Sequence, residues 1–420
     1  MKFSNNTQDH KMKSITIDSK TARRIIIQSQ ILDSIPGDSQ KGDGVAEIVE
    51  HLGYVQIDTI NVLNRAHHHT LWTRMPQYES QDLHQAQAMQ KRIFEYWGHA
   101  MSFLPMADYR YSLPYKLHFS SPYGNWAREQ SEKYGHIMEP TLQRIREEGP
   151  LATKDFVSEE TDHRGTWWDW RPVKMALELL FWQGKLMVAE RRKFQKIYDL
   201  PERVLPDWVD TSMPSEEELG RFLVQRALKA YGLATEREIV DHLRVAEKNI
   251  ITAALKEMNE AGKVITVTVK TGEKELAYYA FPERLEKGNA SFVENNEVFI
   301  FSPFDNFCIQ RARMKTFFNF DYALECYLKP EQRTFGYFAL PLFWKERFIG
   351  KMDAKADRKE KALLIHHLQF EEDFKPDETF QPALHRKLTA FAKFQDCEHF
   401  VVEKISPVRN KKLIQSVQDK

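Results

Sequence analysis

A glutamine and an aspartate, Gln56 and Asp58, stand two residues apart where the chain's own repeats place apolar side chains. The stretch from His51 to Asp58 reads as a helix end, a glycine, then a strand, and the same grammar recurs at Trp182–Ala189 and Glu260–Val267. Counted from Gly53, Gly184 and Gly262, Gln56 corresponds to Met187 and Ile265, and Asp58 to Ala189 and Val267. Side chains two apart on a strand share a face, so a carboxamide and a carboxylate should project together where packing is the norm. A buried carboxylate without a partner is costly, which favours a site that water can reach. There the carboxylate can stabilise growing positive charge and take a proton from water. The amide donates and accepts hydrogen bonds, which suits it to orient that water. The structural alternative is plainer: Asp58 caps a helix beginning near Thr59–Asn61, and Gln56 bonds to backbone.

Other residues invite chemistry less strongly. His67, His68 and His69 are adjacent, so they point in different directions, and no carboxylate lies at zinc-ligand spacing; we expect no metal. Basic groups cluster at Arg191, Arg192 and Lys193, at Arg311, Arg313 and Lys315, at Lys351, Lys355, Arg358 and Lys359, and at Arg409, Lys411 and Lys412. Each alone reads as solvated surface; together they suggest a track for a polyanion. Trp167, Trp168 and Trp170 offer a stacking surface or a hydrophobic staple. No P-loop, Ser-His-Asp order or Gly-x-Gly-x-x-Gly pattern is visible.

The elements that must position these groups follow from the pattern. With 420 residues, 42% of them hydrophobic, the chain can hold several compact units. Its 60 basic and 60 acidic residues cancel, which argues against indiscriminate coating of nucleic acid. Three scattered cysteines, Cys308, Cys326 and Cys397, suggest neither a disulfide frame nor a metal site. No apolar run reaches the roughly 18 residues of a membrane span, so a protein of the reducing cytoplasm is expected.

The clearest unit runs from 213 to 287. Thr235 to Glu238 is a capping box, Ile250, Ile251, Ala254, Leu255 and Met258 share a helix face, Gly262 ends it, and Ile265–Val269 and Leu276–Ala280 flank a turn at Thr271-Gly272. This is the winged-helix order. Residues 141–212 repeat it, with Val173–Gln183 as the recognition helix. Residues 15–140 supply a divergent copy, with helices at Ala22–Leu32 and Val45–Leu52, the Gln56–Asp58 strand, and a helical and aromatic insertion from Gln77 to Tyr134. Residues 288–378 read as a small β-barrel with strands at Val298–Phe304, Tyr322–Leu328, Gly336–Leu342, Arg347–Lys351 and Ala362–Phe370. A C-terminal helix near Ala383–Phe394 and a basic tail complete 379–420. The expected fold is α+β: three tandem winged-helix domains, a small β-barrel and a C-terminal helix.

With these residues in view, the chain resembles the YcaQ-like family of winged-helix DNA glycosylases, the group containing AlkX and AlkZ. The matching text is Gln56-Ile-Asp-Thr-Ile60, Arg65-Ala-His-His-His-Thr-Leu-Trp-Thr-Arg74, Tyr96-Trp-Gly-His-Ala-Met-Ser-Phe-Leu-Pro105, Ser302-Pro-Phe-Asp-Asn306 and Gly350-Lys-Met-Asp-Ala-Lys355 with Ala356-Asp-Arg358. The likeness spans about residues 15 to 400. Family members divide into Gln-apolar-Gln (AlkZ) and Gln-apolar-Asp (AlkX) branches, and Asp58 places this chain with the second. Gln310 departs from the acidic residue that many members carry before the following arginine, which leaves that one contact open.

The resemblance implies hydrolysis of the N-glycosidic bond of N3- and N7-alkylated purines, including bulky or crosslinked adducts, in double-stranded DNA. Gln56 and Asp58 are then catalytic. Arg65, His67, Arg74, His99, Arg191, Arg192, Arg311, Arg313 and Lys355 become candidate DNA contacts. No cofactor is implied, and a monomer is expected. The competing reading is a non-catalytic winged-helix DNA-binding protein or transcription regulator.

Overall fold

The computed structural model describes residues 15–32, 41–120, 125–156, 171–272, 274–287 and 292–411. Trp167, Trp168, Trp170 and Lys412 lie outside the described residues. The fold is α+β: three small sheets with helices packed against them, and one larger curled sheet.

The chain enters as strand β1 (Ile15–Asp18) and helix α1 (Ser19–Gln28). Asp18 caps the helix by accepting from the Thr21 N–H at 2.7 Å. Helix α2 (Lys41–Leu52) stops at Gly53, whose φ of +78° lets the backbone turn sharply into β2 (Val55–Gln56). A loop then leads to helix α3 (Ala66–Arg74). The helix at Thr59–Asn61 that the structural alternative called for does not form. Asp58 instead closes a tight turn on the Ile60 N–H at 2.8 Å.

The segment read as a helical and aromatic insertion contains a hairpin, β3 (Ile93–Trp97) and β4 (Met101–Pro105), which pairs with β2 in the order β2-β4-β3. Its alternation is hidden because residues 93–96 and 102–105 are all buried, covered on both faces. The second sheet joins β5 (Leu151–Ala152), β6 (Met187–Arg192) and β7 (Gln195–Asp199), with helices Asn125–Glu148 and Arg171–Trp182 packed together.

From Glu216 to Ala280 the order is helix, β8 (Leu233–Ala234), two helices, then the β9 (Ile265–Thr271) and β10 (Lys274–Ala280) hairpin. The Thr235–Glu238 capping box forms in both directions. Ile251, Ala254, Leu255 and Met258 turn inward, and Gly262 (φ +68°) ends their helix. One strand crosses the expected division: β1 pairs in parallel with β9, so residues 15–18 join the sheet of 233–280.

The last sheet runs β11 (Val298–Ile300), β12 (Ala339–Trp344), β13 (Arg347–Asp357), β14 (Ala362–Phe370), β15 (His399–Val402), with β16 (Ile405–Ser406) also beside β14. It is open, a half-barrel, and β11 and β15 are its edges. Tyr322–Leu328, expected as a strand, is a loop. The Glu325 carboxylate dictates this by gathering the Phe335 and Gly336 N–H groups at 2.9 and 3.1 Å and the Thr334 hydroxyl. Helix Phe380–Phe394 packs below. One continuous core joins α2 and α3 to this sheet and helix, burying Val49, Leu71, Leu340, Leu363 and Phe391 together.

Candidate active site

A cavity of about 540 Å³ opens where three parts of the chain meet. Gln56, Trp97, His99 and Ala100 come from β2 and the β3–β4 hairpin, Arg244 from the loop before Lys248–Glu260, and Phe304, Arg311, Leu324 and Tyr327 from the half-barrel side.

Gln56 reaches the cavity because β2 is so short. The strand pairs only Val55 with Phe103 and Gln56 with Ser102, and Ile57 adds one bond, its N–H to Met101 O at 2.8 Å. Alternation then sends Ile57 into the core, while Gln56 faces the cavity. Gln56 is 9% exposed, and its Oε1 finds no partner among the described residues. A buried amide oxygen without a donor costs roughly 1–3 kcal/mol, so this placement is held against a penalty.

Asp58 lies beyond the end of the strand, half-buried and outside the cavity lining, close enough to Cys326 and Tyr327 for its charge to act on them. One carboxylate oxygen is engaged by Ile60; the other has no partner among the described residues. Its charge reaches the neighbouring loop: burial raises the Cys326 thiol pKa and Asp58 raises it further, and burial, Cys326 and Asp58 together raise that of Tyr327. Tyr327 is 77% exposed, an aromatic ring standing in solvent beside a carboxylate.

His99 sits at the hairpin tip. Its ring stacks on Tyr54 at 5.7 Å, and its Nδ1–H donates to Asp241 O at 2.6 Å, which leaves Nε2 as the acceptor. Burial lowers its pKa against the pull of that carbonyl, so the ring is neutral near pH 7. Arg311 donates to Ile309 O and Pro303 O at 2.6 and 3.0 Å, which fixes its guanidinium in the cavity wall.

The sequence Ser302 to Asn306 fastens these walls together. Arg74 Nη1 and Nη2 donate to Asp305 at 2.7 and 2.9 Å, and both side chains are fully buried. Asn306 Nδ2 donates to Leu52 O at 3.2 Å, next to the glycine that aims β2. The half-barrel loop carrying Phe304 is thereby tied to α2 and α3. Arg74 is thus a structural cation. Arg313 is also buried and engaged, donating to Glu238, Leu233 O and Tyr231 O. Neither can reach a DNA phosphate as folded, which corrects both assignments; for Arg74 the buried, satisfied role is the one the fold uses.

The remaining candidates separate. Arg65, His67 and Arg191 border a different cavity, beside the β6–β7 turn. Arg192 is exposed and pairs with Glu190 at 2.5 Å, and Lys355 is exposed on β13. His68 meets the Tyr78 hydroxyl at 2.6 Å and His69 donates to Ile300 O at 2.9 Å, so the three histidines diverge. Among the described residues no cluster of metal-ligating side chains occurs, and no helix is long and apolar enough to cross a membrane. Trp97, Arg244, Leu324 and Tyr327 escaped the sequence reading. Only Trp97 carried a signal, its place two residues before His99.

Comparison with known proteins adds to this geometry. Residues 49–394 match the family model described as DNA glycosylase AlkZ-like. The solved structure of Streptomyces sahachiroi DNA glycosylase AlkZ is similar, with a TM-score of 0.62 at 15% identity, over 93% of this chain and 100% of that one. At that identity the likeness speaks for the fold.

Proposed function

The chain belongs to the AlkZ-like DNA glycosylase family, and on that premise we propose that it hydrolyses the N-glycosidic bond of cationic N3- or N7-alkylated purines in duplex DNA, with Asp58 and Gln56 as its catalytic pair. The division into three tandem winged helices, and the Gln-apolar-Asp branch, belong to the same proposal. The observation that carries it is Gln56: a nearly buried carboxamide whose oxygen has no partner among the described residues, lining an open cavity, two residues from a half-exposed carboxylate.

The chemistry follows from charge. N7- or N3-alkylation leaves the purine cationic, so it departs as a neutral base without protonation. As the C1′–N bond breaks, its electron pair passes to the purine and positive charge grows on the sugar. The free oxygen of Asp58 opposes that charge. Gln56 holds a water through its amide; the water oxygen bonds to C1′ and its proton passes to Asp58. The rim suits a large cationic base, since Trp97 and Tyr327 line it and a cation that settles over an aromatic ring gains roughly 0.5–2 kcal/mol. Access through an open rim fits bulky or crosslinked adducts, which cannot be swung into a closed pocket.

The test offers purified protein a panel of duplexes carrying N7-methylguanine, N3-methyladenine or an N7-linked crosslink, and scores abasic sites. Release of the cationic bases with unmodified guanine left intact is expected. Binding without release from any member of the panel would support the regulator reading instead.

A further inference from the structure

The second cavity, about 350 Å³, carries no carboxylate in its lining, although Arg65, Arg191 and Lys193 all face it. We propose that it is a phosphate pocket, which grips one backbone phosphate of the DNA duplex between the start of α3 and the β6–β7 turn. This goes beyond the base-excision site and rests on the reading that the chain binds duplex DNA.

Arg65 carries the argument. Its guanidinium lies over the Phe194 ring at 3.8 Å, its Nε is buried, and it makes no hydrogen bond to any described residue. Burial pushes its pKa down, and the positive charges of Arg191 and Arg358 push it further the same way. A partly buried cation with two further cations near it and no carboxylate bonded to it gains when an anion completes the site. The carboxylates close by are engaged. Glu95 holds Arg191 through two bonds of 2.7 Å, and Glu190 pairs with Arg192.

Two further features converge on the same space. Arg65 is the N-cap of α3 and makes no side-chain capping bond, and the start of this nine-residue helix borders the cavity through Arg65, His67 and His68. His67 is 1% exposed, neutral through burial, and its Nδ1 has no partner among the described residues. Across the cavity, Lys193 and Phe194 adopt φ of +48° and +69°, a hairpin turn that the Phe194 ring pins against Arg65 and Arg191 while Lys193 stays exposed. Planar guanidinium donors, helix N–H groups and an ammonium are the usual complement of a phosphate.

The experiment follows anisotropy of a labelled, undamaged duplex over a series of salt concentrations, for the wild type, Arg65→Gln, Arg65→Lys and Lys193→Ala. Losing one phosphate contact should flatten the log K against log salt line by about 0.9 and weaken low-salt binding about tenfold, the size of one charge-assisted bond. Arg65→Lys should recover part of the slope. If Arg65→Gln perturbs folding by circular dichroism, the exposed Lys193→Ala decides. An unchanged slope in folded variants overturns the proposal. So does Arg65-dependent binding of inorganic phosphate alone with no change in the DNA slope, which would make the ligand a free phosphate. A protein that shows the Arg65-dependent slope yet releases no base keeps this inference and loses the glycosylase reading.

Discussion

Removing Asp305 should loosen the half-barrel from α3 far more than an ordinary carboxylate substitution would. Arg74 is completely buried and makes four bonds: two to Asp305, at 2.7 and 2.9 Å, and one each to Gln30 O and Thr70 O at 3.0 and 3.1 Å. After Asp305→Ala the two carbonyls remain but the counter-charge is gone. A buried charge left this way costs about 3–5 kcal/mol. The same substitution removes the acceptor for the Phe307 N–H, at 2.9 Å, which as a helix cap is worth about 1 kcal/mol. Against a typical total of about 5–15 kcal/mol, a loss near 5 kcal/mol is large. Urea denaturation gives the total, and amide exchange across 66–75 and 298–309 shows where the loss falls. The double variant Arg74→Met with Asp305→Leu removes both charges and should regain most of the stability, since buried pairs replaced by apolar groups are often neutral. A loss below about 1 kcal/mol for Asp305→Ala, or a double variant no better than the single one, would refute the reasoning.

Gly53→Ala forces a side chain onto a φ of +78°, with its Cβ 2.8 Å from Nε2 of the fully buried His242; we expect at least 1–2 kcal/mol of destabilisation in urea melts and reduced base release. Acid should weaken the fold: burial depresses His69 to about 4 and His242 to about 3, so both are neutral when folded and charge first in the unfolded chain. Their contribution is complete above pH 6.5 and drains away as pH falls toward 4, on the order of 1–2 kcal/mol per ring by pH 5; a urea midpoint that does not fall from pH 7 to pH 5 would contradict this. Tyr327→Ala should slow excision of a cationic base about tenfold, the value of one ring face, while Tyr327→Phe and undamaged-duplex affinity stay near wild type in anisotropy and single-turnover assays.

Much of the architecture was legible because turns and helix ends have local causes. Gly184 and Gly262, like Gly53, adopt positive φ at helix ends, as the repeated grammar required, and the Thr235–Glu238 capping box formed where its spacing placed it. The misreadings have tertiary causes. The β3–β4 hairpin hid inside an apparent insertion because neighbours cover both its faces. Tyr322–Leu328 carried strand-like residues, but Glu325, half a loop away from its donors, bends it into a rim; burial pushes that carboxyl up, yet the Thr334, Phe335 and Gly336 donors outweigh it and bring it down to about 2. From sequence Arg313 reads as a DNA contact, and for Arg74 a phosphate contact and a buried, satisfied role stand equal, since no local pattern reports a partner 231 residues away, as Asp305 is from Arg74. At the candidate site, Gln56 stood out through its contrast with Met187 and Ile265, and it lines the cavity. Tyr327 did not, because nothing near it in sequence marks it.

The central claim is that Asp58 supplies the charge and the base for glycosidic hydrolysis while Gln56 orients the water. Single-turnover release of N7-methylguanine from duplex DNA, measured for wild type, Asp58→Asn and Gln56→Ala under matched folding and binding, tests it most directly. The account predicts a fall of about 10²–10³ for Asp58→Asn and about 10² for Gln56→Ala, with undamaged-duplex affinity unchanged. Wild-type rates in Asp58→Asn would contradict it.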